Sequence, residues 1–362
     1  NAAPMNAPKL EDLLERGDRA PNFFLPDQRD IVINLNDKAR GGPLFVLLYP
    51  TQKDPGALGE LQAMFRAAPA MLEAGAHLFA ISADPMPLVQ KIAAENTPGF
   101  FLLSDADKKV AARFGARGKL IGFVFGPDQK VRTVLRPGDT PIAERAAAEI
   151  SAMEAPVPSP AKLHPPILVI PEVFSPAFCQ WLIEQFESRG NEPSGTLRME
   201  AGKMVHITDG ETKRRRDHHV VDKDLLEAIG SRIERRVLPE IRNAFHSDIR
   251  FVEEFKIVRY DADVGGFFRP HRDNTTLGTA HRRFAMTLNL NAEAHEGGEL
   301  RFPEYGQASY RPATGEAAIF SCNLLHEATD VTRGQRYTLL SFMYDESGRQ
   351  FLERNRNKGQ AV

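Results

Sequence analysis

The sequence predicts two domains, an α/β sandwich followed by a double-stranded β-helix, or jelly roll, that is supported by helices. Three observations predict this arrangement. Apolar strand-like segments alternate with helical segments in the first half of the 362 residues, a pattern typical of a sheet covered by helices. The second half begins with helices and continues as many short strands separated by Gly, Pro and Asn. A proline-rich stretch, residues 153–166, lies between the two halves.

The proline-rich stretch sets the predicted domain boundaries. Its sequence, MEAPVPSPAKLHPP, contains five prolines, and proline removes a backbone donor and favours extended conformation. We therefore predict a first domain at residues 10–153, a semi-rigid linker at residues 154–166 and a second domain at residues 167–350. The chain does not begin with Met, and we expect that an N-terminal segment is missing.

The first domain is predicted from apolar runs and from helical periodicity. Continuous apolar runs are typical of strands that are covered on both faces, and a Gly-Pro-Asp segment between two apolar runs predicts a hairpin turn. The predicted strands are 44–49, 77–82, 123–125 and 130–134, and the predicted helices are 58–71, 88–95 and 142–153.

The second domain begins with two predicted helices. Ser175 is a good N-cap, Pro176 suits the first helical position and Gly190 follows the last turn of the first helix. The second helix starts at Asp222 and keeps apolar residues on one face as far as Phe245. The predicted strands that follow are 255–260, 283–290, 299–302, 317–320 and 337–344.

Composition limits the classes of partner and the compartment. The formal net charge is −2, which does not favour nucleic acid, and no apolar run is long enough to span a bilayer. The two cysteines, Cys179 and Cys322, are too few for a disulfide framework or a cysteine-rich metal site. The first residues lack the pattern of a signal peptide. We therefore expect a cytoplasmic protein that binds neither nucleic acid nor membranes.

Three residues of the second half have the spacing of an iron(II) site. Such sites hold the metal with two histidines and one carboxylate on one face and leave the other positions open. His271 and Asp273 are two residues apart, so on an extended segment both side chains point the same way, and Arg272 points away. His326 follows the predicted strand 317–320 and offers a third ligand from a different strand.

Polar residues near this triad predict a pocket for 2-oxoglutarate, an acid that chelates iron through its keto acid end. Its distal carboxylate then needs a cationic partner, and a planar guanidinium binds a carboxylate with two hydrogen bonds. Arg336, ten residues after His326 and at the head of a predicted strand, supplies that cation. Tyr260 adds a hydroxyl donor, and Asn289 and Thr338 are further candidates on inward strand faces.

A basic run at residues 213–216 precedes two adjacent histidines. We expect this run to be a solvated loop, and the alternative is that it folds over the mouth of the active site. The segments 196–221 and 274–282 are expected to form the loops that determine which substrate enters.

The second half resembles the prolyl 4-hydroxylase class of 2-oxoglutarate/iron(II) dioxygenases. The resemblance rests on the segments YDADVGGFFRPHRDN, RRFAMTLNLN, GGELRFPE and LLHEATDVTRGQRYTLLSF. It implies that His271, Asp273 and His326 bind iron(II). It also implies that Arg336, where many animal members have lysine, binds the distal carboxylate of 2-oxoglutarate, and that Tyr260 contacts the same co-substrate.

The reaction that this resemblance implies is the hydroxylation of a C–H bond. Oxygen and 2-oxoglutarate are consumed, succinate and carbon dioxide are released, and L-ascorbate is implied as a reductant for the class as a whole. A prolyl residue of a peptide or protein is the first implied substrate, and free amino acids or other small molecules are alternatives. A sensor or scaffold module that binds iron and 2-oxoglutarate without turnover is the alternative of a different kind.

The first half resembles the peroxiredoxin (AhpC/TSA-type) branch of the thioredoxin fold. The matching segments are GDRAPNF, LPD, the dipeptide Tyr49-Pro50 and PGALGE. The family places its peroxide-reducing cysteine where Ala57 stands, and a threonine near Asp54. Because this chemistry needs a thiolate, we predict no thiol peroxidase or disulfide reductase activity. We hypothesise a docking or homodimerisation module instead, and we expect Glu60, which matches a family active-site residue, to be a surface carboxylate.

Overall fold

The structure is a computed structural model that describes residues 11–39, 41–154, 164–200, 203–207 and 210–356. These residues form two compact units, one on each side of the proline-rich stretch. Most of the predicted linker, residues 155–163, lies outside the described residues, as does Leu10 at the predicted start of the first domain. Among the described helices, none combines the length and the apolar character that crossing a membrane requires.

The first unit is a mixed five-stranded sheet flanked by helices. Its elements are β1 (Phe24–Pro26), β2 (Val32–Asn34), α1 (Leu35–Ala39), β3 (Leu44–Tyr49), α2 (Pro55–Glu73), β4 (His77–Ser82), α3 (Met86–Asn96), β5 (Phe101–Ser104), α4 (Lys109–Arg113), β6 (Ile121–Phe125), β7 (Val131–Leu135) and α5 (Ile142–Ser151). The strand order is β5-β4-β3-β6-β7, with β3, β4 and β5 parallel and β6 and β7 antiparallel. The predicted thioredoxin-like α/β fold is confirmed.

Strand β3 shows why a continuous apolar run forms the centre of this sheet. All six of its residues are buried, and successive residues belong to two different hydrophobic cores. One core includes side chains of β2, α1 and α4, and the other includes side chains of α2, α3 and α5. Because side chains alternate across a strand, only an unbroken apolar sequence can serve both cores.

One polar contact joins α2 to α5. Glu60 Oε2 accepts a hydrogen bond of 2.7 Å from the backbone N–H of Ile142, the first residue of α5. The N-cap residue of this helix, Pro141, makes no side-chain cap, so the carboxylate satisfies a helix N–H that would otherwise lack an acceptor. Glu60, expected to be a surface carboxylate, is half-buried, and it joins two helices through a partner that is distant in sequence.

The second unit consists of two main sheets, a separate two-stranded sheet and helices that pack on the larger main sheet. Its elements are β8 (Ile167–Ile170), α6 (Pro176–Arg189), β9 (Glu192–Pro193), β10 (Thr196–Glu200), β11 (Lys203–Ile207), β12 (Lys213–Arg214), β13 (Arg216–His219), α7 (Lys223–Arg236), α8 (Leu238–Phe245), β14 (Phe251–Val252), β15 (Lys256–Asp261), β16 (Phe267–His271), β17 (Phe284–Asn289), β18 (His295–Gly297), β19 (Leu300–Arg301), β20 (Ser309–Tyr310), β21 (Ala317–Ser321), β22 (His326–Ala328), β23 (Val331–Tyr344) and α9 (Glu346–Arg356). Short 3₁₀ helices lie at Ala262–Val264, Ala292–Ala294 and Pro303–Tyr305.

The two sheets of this unit form the predicted double-stranded β-helix. The larger sheet follows the order β8-β21-β17-β23-β15-β13-β9, and the smaller follows β12-β16-β22-β19-β20. Apolar side chains of α6, α7 and α8 share one core with side chains of β15, β17, β21 and β23. The supporting helices therefore pack on the larger sheet, and the predicted fold class of the second half is confirmed.

Two elements of this unit have other bounds than predicted. The helix that starts after Asp222 is divided into α7 and α8, because Pro239 has no N–H with which to continue the helical hydrogen bonds. Strand β23 begins at Val331, earlier than predicted, so Arg336 lies within this strand and not at its head.

The basic run 213–216 is not a solvated loop. Its residues belong largely to β12, which pairs with β16, and to β13, which pairs with β15. Lys213 is 8% exposed, and the side chain of Arg215 is 9% exposed. The segment 196–207, expected to be part of a loop, forms the hairpin β10–β11. Charged residues are rarely buried without partners, and here Arg215 pairs with Asp217 while Lys213 Nζ donates to the Gly195 carbonyl at 2.6 Å. The interpretation of this run as a solvated loop is therefore wrong.

Candidate metal centre and co-substrate pocket

The three predicted metal ligands meet in the second unit. His271 ends β16 and His326 begins β22, and the two residues are partners in the antiparallel register. The backbone N–H of Asp273 donates to the Cys322 carbonyl at 3.0 Å, which holds the Asp273 carboxylate beside them. The carboxylate oxygens of Asp273 lie 3.5 Å from His271 Nε2 and 3.3 Å from His326 Nε2. One ligand atom of each residue lies within 4.8 Å of the other two.

A hydrogen bond at the second ring nitrogen orients each histidine. His271 Nδ1 lies 2.8 Å from the Arg269 carbonyl oxygen, and His326 Nδ1 lies 2.9 Å from the Leu324 carbonyl oxygen. A carbonyl oxygen only accepts, so each Nδ1 carries the proton and each Nε2 keeps its lone pair. Both lone pairs are therefore available to a metal ion, and the rings are held in place by the backbone.

The electrostatics of the triad also suit a cation. Burial alone would raise the pKa of Asp273, but its contacts with the two histidines and the charge of Arg282 outweigh burial and hold the pKa below its ordinary value. Burial lowers the pKa of His326. A carboxylate that stays ionised and an imidazole that stays neutral are the forms that bind metals. Two imidazoles and one carboxylate on one face form the donor set typical of non-haem iron(II).

A cavity with a volume of about 150 Å³ opens beside the triad. Its lining includes the three ligand residues, Arg336 and Tyr260. Its apolar walls include Phe268, Ala285, Leu300, Phe320, Leu340 and Phe342, which come from both sheets. Because apolar walls lower the local dielectric constant, charges in this cavity act more strongly on a ligand than they would in water.

Arg336 is a buried cation with an incomplete set of partners. It is 4% exposed, and its Nη2 donates to Thr287 Oγ1 at 3.3 Å and to Asn289 Oδ1 at 3.1 Å. Within the described part of the chain, Nε has no hydrogen-bond partner and no carboxylate forms an ion pair with the guanidinium. Burial lowers the pKa of Arg336, yet a guanidinium stays protonated in proteins. Such a group fits a ligand carboxylate, which would supply both the acceptor and the missing negative charge.

Asn289 and Thr338 lie behind Arg336 and do not line the cavity. Asn289 accepts from the guanidinium, as described above, and Thr338 Oγ1 donates to the Leu288 carbonyl at 2.7 Å. Thr338 Oγ1 also lies 2.9 Å from Thr287 Oγ1. Asn289 therefore contacts Arg336 directly, whereas Thr338 is connected to it only through Thr287, which accepts from the guanidinium.

Tyr260 lies opposite Arg336 in the register of β15 and β23. It is 2% exposed, and its hydroxyl oxygen accepts a hydrogen bond of 3.2 Å from Arg215 Nη1. Arg215 also lines the cavity, although the sequence analysis placed it in a solvated run. The sequence carries no signal that separates Arg215 from the basic residues on either side, because its place beside the cavity depends on the flanking strands β12 and β13, which pair with β16 and β15.

A second group of charged residues borders the cavity near the triad. Arg282 Nη1 donates to the Asp273 carbonyl at 3.2 Å, and its Nε and Nη2 donate to the two carboxylate oxygens of Glu253 at 2.9 and 2.8 Å. The guanidinium carbon lies 3.7 Å from the centre of the Phe342 ring, and His281 Nε2 lies 2.5 Å from Glu253 Oε1. Arg282 was predicted to be a loop residue, and the structure shows that it also holds a metal-ligand segment.

The first unit has no thiol at the position where its family places the nucleophile. Ala57 lies in the first turn of α2 and is fully buried, and its backbone N–H donates to the Asp54 carboxylate at 3.0 Å. A methyl group cannot attack a peroxide, so this position offers no thiol chemistry.

Two family models match the chain, one in each unit. The model of the 2OG-Fe(II) oxygenase superfamily matches residues 255–344, which carry the triad, Tyr260 and Arg336. The model of the AhpC/TSA family matches residues 16–134.

Three known proteins illustrate these likenesses. Peroxiredoxin Bcp of Escherichia coli (strain K12) is 33% identical over 106 residues, which make up 29% of this chain and 67% of that protein. A PKHD-type hydroxylase of Shewanella oneidensis is 29% identical over 200 residues, 51% of this chain and 83% of that protein. The crystal structure of a Pseudomonas putida prolyl-4-hydroxylase covers 49% of this chain and 92% of its own, with 16% identity and a TM-score of 0.39.

Proposed function

We propose that this chain, whose first half belongs to the AhpC/TSA family and whose residues 255–344 match the model of the 2OG-Fe(II) oxygenase superfamily, is a 2-oxoglutarate- and iron(II)-dependent dioxygenase that hydroxylates a C–H bond. A prolyl residue of a peptide or protein is the first candidate substrate. One observation carries the proposal: the metal-ligating triad and the buried guanidinium of Arg336 line the same cavity.

Each group of this cavity has a defined task in such a reaction. Bound iron(II) and 2-oxoglutarate would supply the activation of oxygen and the electrons for hydroxylation. His271, Asp273 and His326 hold one side of the metal ion and leave its other side facing the cavity. Arg336 binds the distal carboxylate and so fixes the direction in which the co-substrate enters. The apolar walls keep water away from the reacting C–H bond.

The direct test is the release of succinate from 2-oxoglutarate by the full chain with iron(II) and a library of proline-containing peptides. We expect succinate release that depends on iron(II) and on oxygen, together with a mass increase of one oxygen atom in a peptide. His271→Ala and Asp273→Ala should each abolish both signals, because each removes one of three metal ligands. His164→Ala, at an exposed histidine outside the site, is the matched control and should leave both signals unchanged.

Three outcomes separate the proposal from its alternatives. Full turnover in His271→Ala and Asp273→Ala would refute it. Tight binding of iron(II) and 2-oxoglutarate without product from any peptide or small molecule would favour a sensor or scaffold. Oxygen transfer to a free amino acid or another small molecule, but to no peptide, would keep the dioxygenase and replace the substrate class.

For the first unit we propose a non-catalytic role in docking or homodimerisation. The support is the buried alanine at the nucleophile position, together with exposed apolar side chains at Phe24, Ile31 and Val32. We expect no peroxide consumption with a thiol reductant, whereas Peroxiredoxin Bcp serves as the positive control. Deletion of residues 1–155 should change substrate turnover or oligomeric state, and no change in either would count against this role.

A further inference from the structure

A second arginine beside the cavity forms a closed ion pair. Arg215 Nε donates to Asp217 Oδ1 at 2.8 Å, and Arg215 Nη2 donates to Asp217 Oδ2 at 3.1 Å. Ser194 Oγ donates to Asp217 Oδ2 at 2.6 Å and holds the carboxylate from the other side. Asp217 is 3% exposed, so this pair is shielded from water. The guanidinium is therefore fixed in one orientation and, unlike Arg336, brings little net charge to the cavity.

This orientation determines what the hydroxyl of Tyr260 can do. A guanidinium only donates, so in its contact with Arg215 Nη1 the Tyr260 oxygen must be the acceptor. The hydroxyl proton then has to point elsewhere. Within the described residues no hydrogen bond has Tyr260 as the donor, while Tyr260 lines the cavity and faces Arg336 across the strand pair. The free proton is thus left for a ligand acceptor.

We propose that Arg215 is a positioning residue of the co-substrate pocket. Held by Asp217, it donates to the oxygen of Tyr260, so that Tyr260 presents its proton to the acid that Arg336 binds. This inference rests on the proposed function, because it takes 2-oxoglutarate as the ligand. It gives the two arginines different tasks: Arg336 attracts the carboxylate by charge, and Arg215 sets the direction of a neutral hydrogen-bond donor.

The geometry also explains why this position requires arginine. The planar guanidinium holds Asp217 with two nitrogens and still has a third nitrogen for Tyr260. Lysine has one compact ammonium group, which cannot keep both carboxylate bonds and the bond to the tyrosine in this geometry. Arg215→Lys should therefore preserve the charge of the pair and weaken the orientation of Tyr260.

The test is a double-mutant cycle measured by calorimetric binding of 2-oxoglutarate to the full chain loaded with manganese(II), which avoids turnover. Tyr260→Phe removes the donor, and we expect the dissociation constant to rise about 10- to 150-fold, because one hydrogen bond to a charged carboxylate is lost. Arg215→Gln and Arg215→Lys should raise it by a similar or smaller factor. In the Tyr260→Phe background, Arg215→Gln should have no further effect, because the hydroxyl that it positions is already absent.

The controls distinguish positioning from a general structural effect. Arg333→Gln changes an arginine with a 75% exposed side chain and should leave binding unchanged. Manganese(II) affinity should be equal in all variants, since the triad is untouched. If Arg215→Gln does not fold, Arg215→Lys and Asp217→Asn complete the cycle.

The outcomes also separate this inference from the proposed function. Equal losses from Arg215→Gln with and without Tyr260 would overturn the positioning role, and so would a loss of manganese(II) affinity. A wild-type chain that binds manganese(II) but not 2-oxoglutarate would refute the proposed function itself. Strong coupling between Arg215 and Tyr260 together with unchanged metal affinity supports both.

Discussion

Replacing Arg336 with lysine separates the contribution of the charge of this side chain from the contribution of its planar shape. The wild-type guanidinium has an unpartnered Nε and, among the described residues, only neutral hydrogen-bond partners. Lysine keeps the positive charge but loses the planar fork that binds a carboxylate with two hydrogen bonds. Arg336→Met removes both the charge and the fork. We therefore expect a partial loss of 2-oxoglutarate binding in Arg336→Lys and a nearly complete loss in Arg336→Met.

The size of the effect follows from the hydrogen bonds that lysine cannot replace. One charge-assisted hydrogen bond contributes about 1.5–3 kcal/mol. Losing one such bond raises the dissociation constant of 2-oxoglutarate about 10- to 150-fold. Loss of the cation as well should weaken binding further in Arg336→Met, because the carboxylate would then be buried without a partner.

The increase in the free energy of unfolding caused by bound 2-oxoglutarate measures this change in affinity without turnover. With manganese(II), 2-oxoglutarate at 100 times its wild-type dissociation constant should stabilise the folded wild-type chain by about 2.7 kcal/mol. The same concentration should stabilise Arg336→Lys by only about 0.3–1.4 kcal/mol. Fluorescence of Trp181, the single tryptophan of the chain, reports on the second unit in this unfolding experiment.

A ligand without the distal carboxylate is the matched control. 2-Oxobutyrate has the same keto acid end, so Arg336→Lys should change its dissociation constant less than about threefold, since no bond to Arg336 is lost. If Arg336→Lys binds 2-oxoglutarate as tightly as the wild type, the reasoning is refuted. It is equally refuted if 2-oxobutyrate loses as much affinity as 2-oxoglutarate, because the defect would then lie at the metal end.

Three other predictions test the surroundings of the site and the fold. Arg282→Gln removes the donor to the Asp273 carbonyl and should raise the manganese(II) dissociation constant about 10-fold or more in a metal titration; unchanged affinity would contradict this role. Glu60→Ala removes the acceptor at the start of α5 and should destabilise that helix by about 1 kcal/mol, seen as faster amide exchange, whereas Glu60→Gln keeps an acceptor oxygen and should lose less. Burial, with the nearby charge of Arg215, lowers the pKa of Lys213 from 10.5 to about 7. The unfolded chain then binds more protons than the folded chain between these values, so stability should rise with pH through this window and fall as pH drops to 7. Lys213→Met should flatten the rise in urea unfolding followed by Trp181, and equal slopes in both proteins would argue against the shift.

Local spacing was sufficient to predict the residues that the structure brings together at the metal centre. His271 and Asp273 are close because residues two apart on an extended segment share a face, and this relation needs no knowledge of the fold. His326 and Arg336 belong to consecutive strands of one chain segment, so their spacing can also be recognised from the sequence alone. Apolar patterns also identified four of the seven described strands of the first unit and five of the 16 described strands of the second, because these patterns reflect which faces are buried.

Contacts between distant segments were not predictable in this way. Arg215 has basic neighbours on both sides, and it lies beside the cavity because the strands on either side of it, β12 and β13, pair with β16 and β15. Glu60 and Ile142 are separated by 82 positions, and nothing in either local pattern relates them. The division between α7 and α8 belongs to another class, because Pro239 was visible in the sequence but the apolar stripe on both sides outweighed it in the interpretation.

The two arginines at the cavity differ in whether a carboxylate of the chain balances their charge. Arg215 has its carboxylate within the chain, so its charge is balanced whether or not a ligand binds. Arg336 is equally enclosed but has only neutral partners among the described residues, and a cation in that state is unfavourable for folding. Folding alone would favour an apolar residue or a paired charge at this position. A buried cation that lowers stability but fits an anionic ligand indicates a position where function takes precedence over packing. Arg336 lines the same cavity as His271, Asp273 and His326, the three candidate metal ligands.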